Sequence, residues 1–202
     1  MHPFKFAAAL ALSLLTAAPA LAQTPARIRG AIVGLDGHVL TVKTRTGNEV
    51  KIKLDEKYSV AAVVPIAISD IKQGSFVGAA SMKQADGSMK ALEVLVFPEA
   101  MRGSGEGSYA WDLLPNSTMT NANVEAVVDS TSGREMTLTY KGEGKQKIVV
   151  PAGVPIVTFQ PGDASLLKPG ALVFIGGAKP EADGSFTAGR VNVGRDGFKP
   201  PM

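Results

Sequence analysis

The sequence predicts an all-β protein built as two tandem five-stranded barrels, and three observations carry that prediction. The chain repeats itself: Ser69-Asp70-Ile71-Lys72-Gln73-Gly74 returns as Ser165-Leu166-Leu167-Lys168-Pro169-Gly170, and Ala85-Asp86-Gly87-Ser88 returns as Ala182-Asp183-Gly184-Ser185. Apolar and polar residues alternate at period two in short runs such as Glu49-Val50-Lys51-Ile52-Lys53-Leu54, the pattern of a strand with one buried face. Between the runs, Gly, Asp, Asn and Ser cluster where turns need positive φ or local side-chain hydrogen bonds.

In the first copy, Arg27 to Val33 reads as strand one, turned by Gly34-Leu35-Asp36-Gly37 into the β-branched run Val39 to Thr44. Thr46-Gly47-Asn48 ends that run, and Glu49 to Leu54 follows with Val50, Ile52 and Leu54 predicted to point inward. A connection from Asp55 to Gly74 carries an apolar patch, Val60 to Ile68. Ser69 then reads as the cap of one helical turn and Gly74 as its stop. Ser75 to Met82 and Met89 to Phe97 are strands four and five, joined by a hairpin at Ala85 to Ser88.

The second copy follows the same order. Val124 to Val128, Met136 to Tyr140 and Lys147 to Val150 match strands one to three. A connection through Pro151, Pro155 and Pro161 leads to the turn at Ser165 to Gly170, then to Leu172 to Ile175 and Arg190 to Val193. Three strands, a short helical turn and two strands is the order of an OB-like Greek-key barrel, with SH3-like barrels as the competing reading. The expected organisation is a first barrel over 23–100, a Gly/Ser-rich aromatic linker over 101–120 and a second barrel over 121–202.

Residues 1–22 read as a secretory signal peptide: Lys5, the apolar run Ala7 to Leu15, and the A-x-A pattern Ala20-Leu21-Ala22. The run is too short to span a bilayer, so the expected mature chain is soluble and periplasmic or secreted. Removal of this segment takes away one base and no acid, so the formal net charge falls from +3 to +2. That balance offers no electrostatic footprint for nucleic acid or an anionic membrane. The absence of cysteine removes disulfides, thiol nucleophiles and thiolate metal sites.

Asp36-Gly37 with Leu40-Thr41-Val42, Ile71 with Gly74 and Val77, and Asp86-Gly87 with Ala91 and Val94 together resemble a family of exported bacterial domains of unknown function. The resemblance covers the mature chain except the linker and tail. It implies a small β-barrel fold and no established activity. Similar chains are sometimes labelled as metal-transport components, which implies an accessory role in envelope transport or metal handling as the alternative function.

The residues supply little chemistry. His38, the one histidine outside the signal segment, is the only candidate base of the usual kind and sits beside a turn where an exposed polar residue is ordinary, and one histidine without cysteine excludes a zinc site within a single chain. Asp86 and Asp183 each read as hairpin carboxylates, and Gly103 to Gly107 lacks the lysine of a phosphate-binding loop. Glu49, Asp55, Glu56 and Glu93 are scattered over predicted strand faces and connections. No catalytic residue, metal or cofactor is expected.

Two features suggest binding. The linker runs into Tyr109 and Trp111, the latter the only tryptophan. Trp111 with Leu113-Leu114 could pin the linker between barrels, or Arg102, Tyr109 and Trp111 could stack on a sugar or another planar ligand. Asn116 to Asn123 reads as a structured polar turn before the next strand. Lys43, Arg45, Lys51 and Lys53 form a basic stripe, without the interleaved aromatics of a nucleic-acid platform. Such a stripe suits a solvated strand face or a polyanionic or saccharide ligand. The expected function is a non-catalytic binding or adaptor protein, with an envelope protein or such a ligand as partner.

Overall fold

The computed structural model describes residues 24–130, 133–142 and 144–202, so the expected signal peptide at 1–22 lies outside the described residues. The strands, in chain order, are β1 (Ala26–Asp36), β2 (Val39–Thr44), β3 (Glu49–Pro65), β4 (Phe76–Lys83), β5 (Met89–Val96) and β6 (Gly107–Trp111). They continue as β7 (Ser117–Ser130), β8 (Gly133–Tyr140), β9 (Gly144–Val150), β10 (Ile156–Pro161), β11 (Leu172–Pro180) and β12 (Phe186–Gly194). All belong to one continuous hydrogen-bonded sheet.

The pairing does not keep the two halves of the chain apart, as the tandem expectation required. β1, β2 and β3 close a five-stranded barrel with β12 and β11, through the β12–β3 and β11–β1 contacts. In the same pattern, β7, β8 and β9 form a second ring with β4 and β5, closed by the parallel pairs Met89↔Ile148 and Lys90↔Val149. Each ring therefore takes three strands from one half and two from the other.

The cause lies in β3. The stretch from Asp55 to Pro65 was expected as a connection, but the backbone stays extended through it. No glycine or proline interrupts Glu49 to Val64, and the run from Val60 to Val64 has small or β-branched side chains that suit a strand buried on both faces. At about 3.3 Å per residue the strand reaches roughly 55 Å, which carries the chain out of its own barrel before it can turn back. In the C-terminal half the corresponding path is broken at Pro151 to Pro155 into β9 and β10. The far end of β3 pairs antiparallel with β10, from Val157↔Pro65 to Pro161↔Ala61, and this seam joins the rings.

Three apolar cores result. The first ring buries Ile28, Leu40, Val42, Ile52, Val173 and Val191, residues of both halves. The second buries Val77, Val94, Val124, Met136, Leu138 and Ile148. A third cluster fills the junction with Ala61, Val63, Leu95, Val157, Phe159 and Phe174. Of the three residues predicted to point inward from β3, Ile52 and Leu54 are buried and Val50 packs at the edge of the first core.

The turns keep their predicted chemistry with adjustments. Asp86 Oδ1 accepts from Ser88 N and Asp183 Oδ1 from Ser185 N, both at 2.9 Å, with Gly87 and Gly184 at φ of 85° and 80°. Ser69 is not a cap: it lies inside a 3₁₀ turn, Ile68–Asp70, where the Asp70 carboxylate accepts from Ala67 N at 2.9 Å. Asp163 caps the matching turn, Ala164–Leu166. The linker is also more ordered than its glycines and serines suggested. Its β6 adds an edge strand to β7, and the polar stretch from Ser117 to Asn123 is strand rather than turn, paired to β4 and β6 on its two sides.

Candidate functional site

Beside the junction core lies a pocket of about 520 Å³, within the size range of small-molecule sites. Both halves build it: Leu95 comes from the end of β5 and Phe97 from just beyond it, Tyr109 and Trp111 from β6, Met119 and Asn121 from β7. Phe159 of β10, Phe174 of β11 and Arg190 and Asn192 of β12 complete its wall. Gly176 and Gly177 also line it, at a bulge of β11. The β1–β11 register steps from Ala26↔Ala178 to Ile28↔Ile175, so Gly176 and Gly177 together face Arg27. Neither glycine contributes a side chain, and a Cβ on Gly177 would meet nothing within 4 Å.

Alternation along β6 places Tyr109 and Trp111 on the same face of that strand. Trp111 stacks edge-on to Phe174 with centroids 6.3 Å apart and to Tyr109 at 6.2 Å, while the Arg27 guanidinium lies 4.0 Å over its ring. The next residue is held by charge. Asp112 accepts a two-pronged contact from Arg29, at 3.0 and 2.7 Å, and the nearly buried Arg29 also donates from Nε to the main-chain oxygen of Met202. Burial works against the Asp112 charge, but the Arg29 hydrogen bonds and the positive charges of Arg29 and Arg27 outweigh it and hold the carboxyl below its usual value. Trp111 is thus pinned to the first ring, and its Nε1 is buried without a partner among the described residues.

Asn121 is only 7% exposed; its Nδ2 donates to Ser104 O and Tyr109 Oη, each at 3.1 Å, and its Oδ1 finds no partner among the described residues. Gly78 faces it across the β4–β7 pair, where a Cβ would stand 2.7 Å from that Oδ1. The absence of a side chain at Gly78 is what lets Asn121 sit there.

Arg190 is the one charged side chain of the pocket wall among the described residues. Its guanidinium lies 4.9 Å over the Phe159 ring, and its Nε donates to Asn192 Oδ1 at 3.0 Å. Burial lowers its pKa from the ordinary arginine value. Ala91-Leu92-Glu93-Val94 of β5 and Ala188-Gly189-Arg190-Val191 of β12 occupy matching places in the two halves, so Arg190 corresponds to Glu93. Glu93 is fully buried, both its carboxyl oxygens lack a partner among the described residues, and burial pushes its pKa up to about 8 against the pull of Arg29 and Arg45. It does not line the pocket.

Of the residues singled out in the sequence, the structure brings Tyr109 and Trp111 together at this pocket. Arg102 is placed elsewhere: it clamps Glu99, Asn123 and the Gly74 carbonyl with contacts of 2.6 to 2.9 Å. Lys43 lines a separate cleft with Arg45 and Lys199, Lys51 is exposed, and Lys53 sits 3.6 Å from Asp183. Sequence reasoning missed Arg190, Asn121 and Gly177. The Gly176-Gly177 pair inside a strand run was the available signal for the bulge; nothing local marked Asn121. The opposite charges at Glu93 and Arg190 were visible on superposing the two halves.

No group of three or more His, Cys, Asp or Glu side chains among the described residues could hold a metal ion, and no described helix is long and apolar enough to cross a membrane. The arrangement offers shape, aromatic surface and, among the described residues, one charged side chain, Arg190. No protein-family model, curated protein or solved structure matches the chain.

Proposed function

We propose that this is an exported, non-catalytic binding protein whose ligand occupies the junction pocket. The observation that carries the reading is a pocket of about 520 Å³ walled by Phe, Met, Tyr and Trp side chains from both halves of the chain. Apolar, largely preformed concavities with a few fixed polar groups are the usual small-molecule sites. The fold supports this role: each ring runs in the OB order one-two-three-five-four, with strands four and five supplied by the other half. We read both rings as OB-like barrels on that ground.

The test uses N-phenyl-1-naphthylamine, a neutral apolar fluorophore. Trp111 is the sole tryptophan and lines the pocket, so bound probe should quench its emission by energy transfer. Gly177→Leu adds a bulky side chain to the pocket lining without displacing backbone, since nothing lies within 4 Å of that Cβ position. Binding by the unmodified protein and at least about tenfold weaker binding by Gly177→Leu, the cost of about 1.4 kcal/mol, is the expected result. A probe that ignores the unmodified protein, or binds both equally, removes the reading.

A further inference from the structure

The chemistry of the wall specifies a ligand class, on the reading that the pocket is a binding site. Its apolar part includes Phe97, Phe159 and Phe174 with Met101, Met119 and Met202. Methionine side chains repack around irregular hydrocarbon shapes more readily than branched ones. Its one charged side chain among the described residues is that of Arg190.

Arg190 differs from the other arginines of the junction. Arg29 is matched by Asp112 and Arg102 by Glu99, and more distant arginines are also engaged, Arg134 by Asp129 and Arg195 by Gln160. Arg190 has no acidic partner among the described residues, and its two terminal amino groups make no hydrogen bond there. Yet it is held in place. Phe159 supports one face, Asn192 fixes Nε, and Asn192 is itself anchored through Nδ2 to the Phe174 carbonyl at 3.0 Å. A half-buried guanidinium, locked in orientation with its donor fork unused, matches a carboxylate.

We propose that the junction pocket binds an anionic amphiphile, a single carboxylate on a hydrocarbon body, with the carboxylate on the free edge of Arg190 and the hydrocarbon among the Phe and Met side chains. A multiply charged ligand is disfavoured, because one cation cannot compensate several desolvated anions. A cationic amphiphile would meet Arg190 head-on.

Displacement of N-phenyl-1-naphthylamine by decanoate, decan-1-ol and decylammonium tests this. One charge-assisted pairing predicts decanoate binding about tenfold or more tighter than decan-1-ol, with decylammonium weakest. The decanoate advantage should vanish as the carboxylate protonates below about pH 5. In Arg190→Gln it should shrink to about threefold or less, with decan-1-ol binding reporting that the pocket persists; Arg190→Lys, which keeps charge and loses the fork, should fall between. Decanoate binding no tighter than decan-1-ol, or an advantage that survives Arg190→Gln, overturns the proposal and leaves the binding reading intact. Failure of the fluorophore and all three ligands to bind overturns both. If Arg190→Gln does not fold, the pH dependence of the unmodified protein decides.

Discussion

Replacing Glu93 by glutamine should make the protein more stable at neutral pH, and more so as the pH rises. Glu93 lies on β5, opposite Ala80 of β4, with no exposed surface and no hydrogen-bond partner for either oxygen among the described residues. Loss of solvent pushes its carboxyl to about 8, against the opposing positive charges of Arg29 and Arg45 and from a reference value of 4.5. The folded state therefore binds a proton that the unfolded state releases between those two values. Stability is highest below the unfolded value, declines by about 1.4 kcal/mol per pH unit through the window, and levels off above the folded one. The full decline is about 5 kcal/mol, of which roughly 3 kcal/mol has been lost at pH 7. Glutamine fills nearly the same volume and cannot ionise, so its stability loses this slope.

The assay is urea denaturation of both proteins from pH 4.5 to 8.5, compared as the difference in unfolding free energy at each pH. The subtraction cancels every other titrating group. The Asp86, Asp112, Asp163 and Asp183 carboxyls are all held below their usual values, so their contributions are lost at more acid pH, outside the window. A difference that rises with pH and saturates near 8 is the expected result. A difference that stays flat would mean that Glu93 is ionised and solvated or paired in the folded protein, and the burial argument would be wrong.

Two further outcomes test the architecture. Asp112→Ala removes the carboxylate that faces the nearly buried Arg29 and leaves the guanidinium only its Nε contact to Met202; with Asp112 about half exposed, the buried-pair penalty is reduced by solvent screening to about 1–2 kcal/mol, read as a lowered urea midpoint with unchanged slope, and a loss under about 0.5 kcal/mol would show that solvent already screens this pair completely. A fragment covering residues 24–100 holds β1 to β5 and the adjoining 3₁₀ turn but lacks β11 and β12, which close the first barrel, and β7 to β9, which close the second ring. Light scattering and circular dichroism should find it either unfolded or self-associated, and a stable monomer with a cooperative transition would contradict the shared-ring arrangement.

Strand positions were legible because they depend on local rules. Val39–Thr44 coincides with its predicted span, and the Asp-Gly hairpins at Asp86 and Asp183 fold as their side chains dictate. Partner choice was not legible. β-pairing reads the same whether strands four and five return to their own half or cross to the other, since both give each apolar face an equivalent core. The linker misled for a related reason: Gly107 to Trp111 carries weak local preference, and its strand form comes from hydrogen bonds to β7, which no window of sequence contains. At the site, the aromatic pair Tyr109 and Trp111 stood out by residue type alone. Arg190, at a strand position where a charged residue is ordinarily solvated, did not.

By itself, then, the sequence determined an all-β chain, its turns, and which faces of most strands are apolar, because these follow from side-chain period and backbone preference over a few residues. The tertiary structure decided which half closes which ring, and with it the pocket. That decision rests on β3: a strand extended to Pro65 overshoots its own barrel, forces the exchange of strands four and five, and gathers Trp111, Phe159, Phe174 and Arg190 around one opening. Residues so far apart in the chain acquire a common chemistry only when that crossing is made.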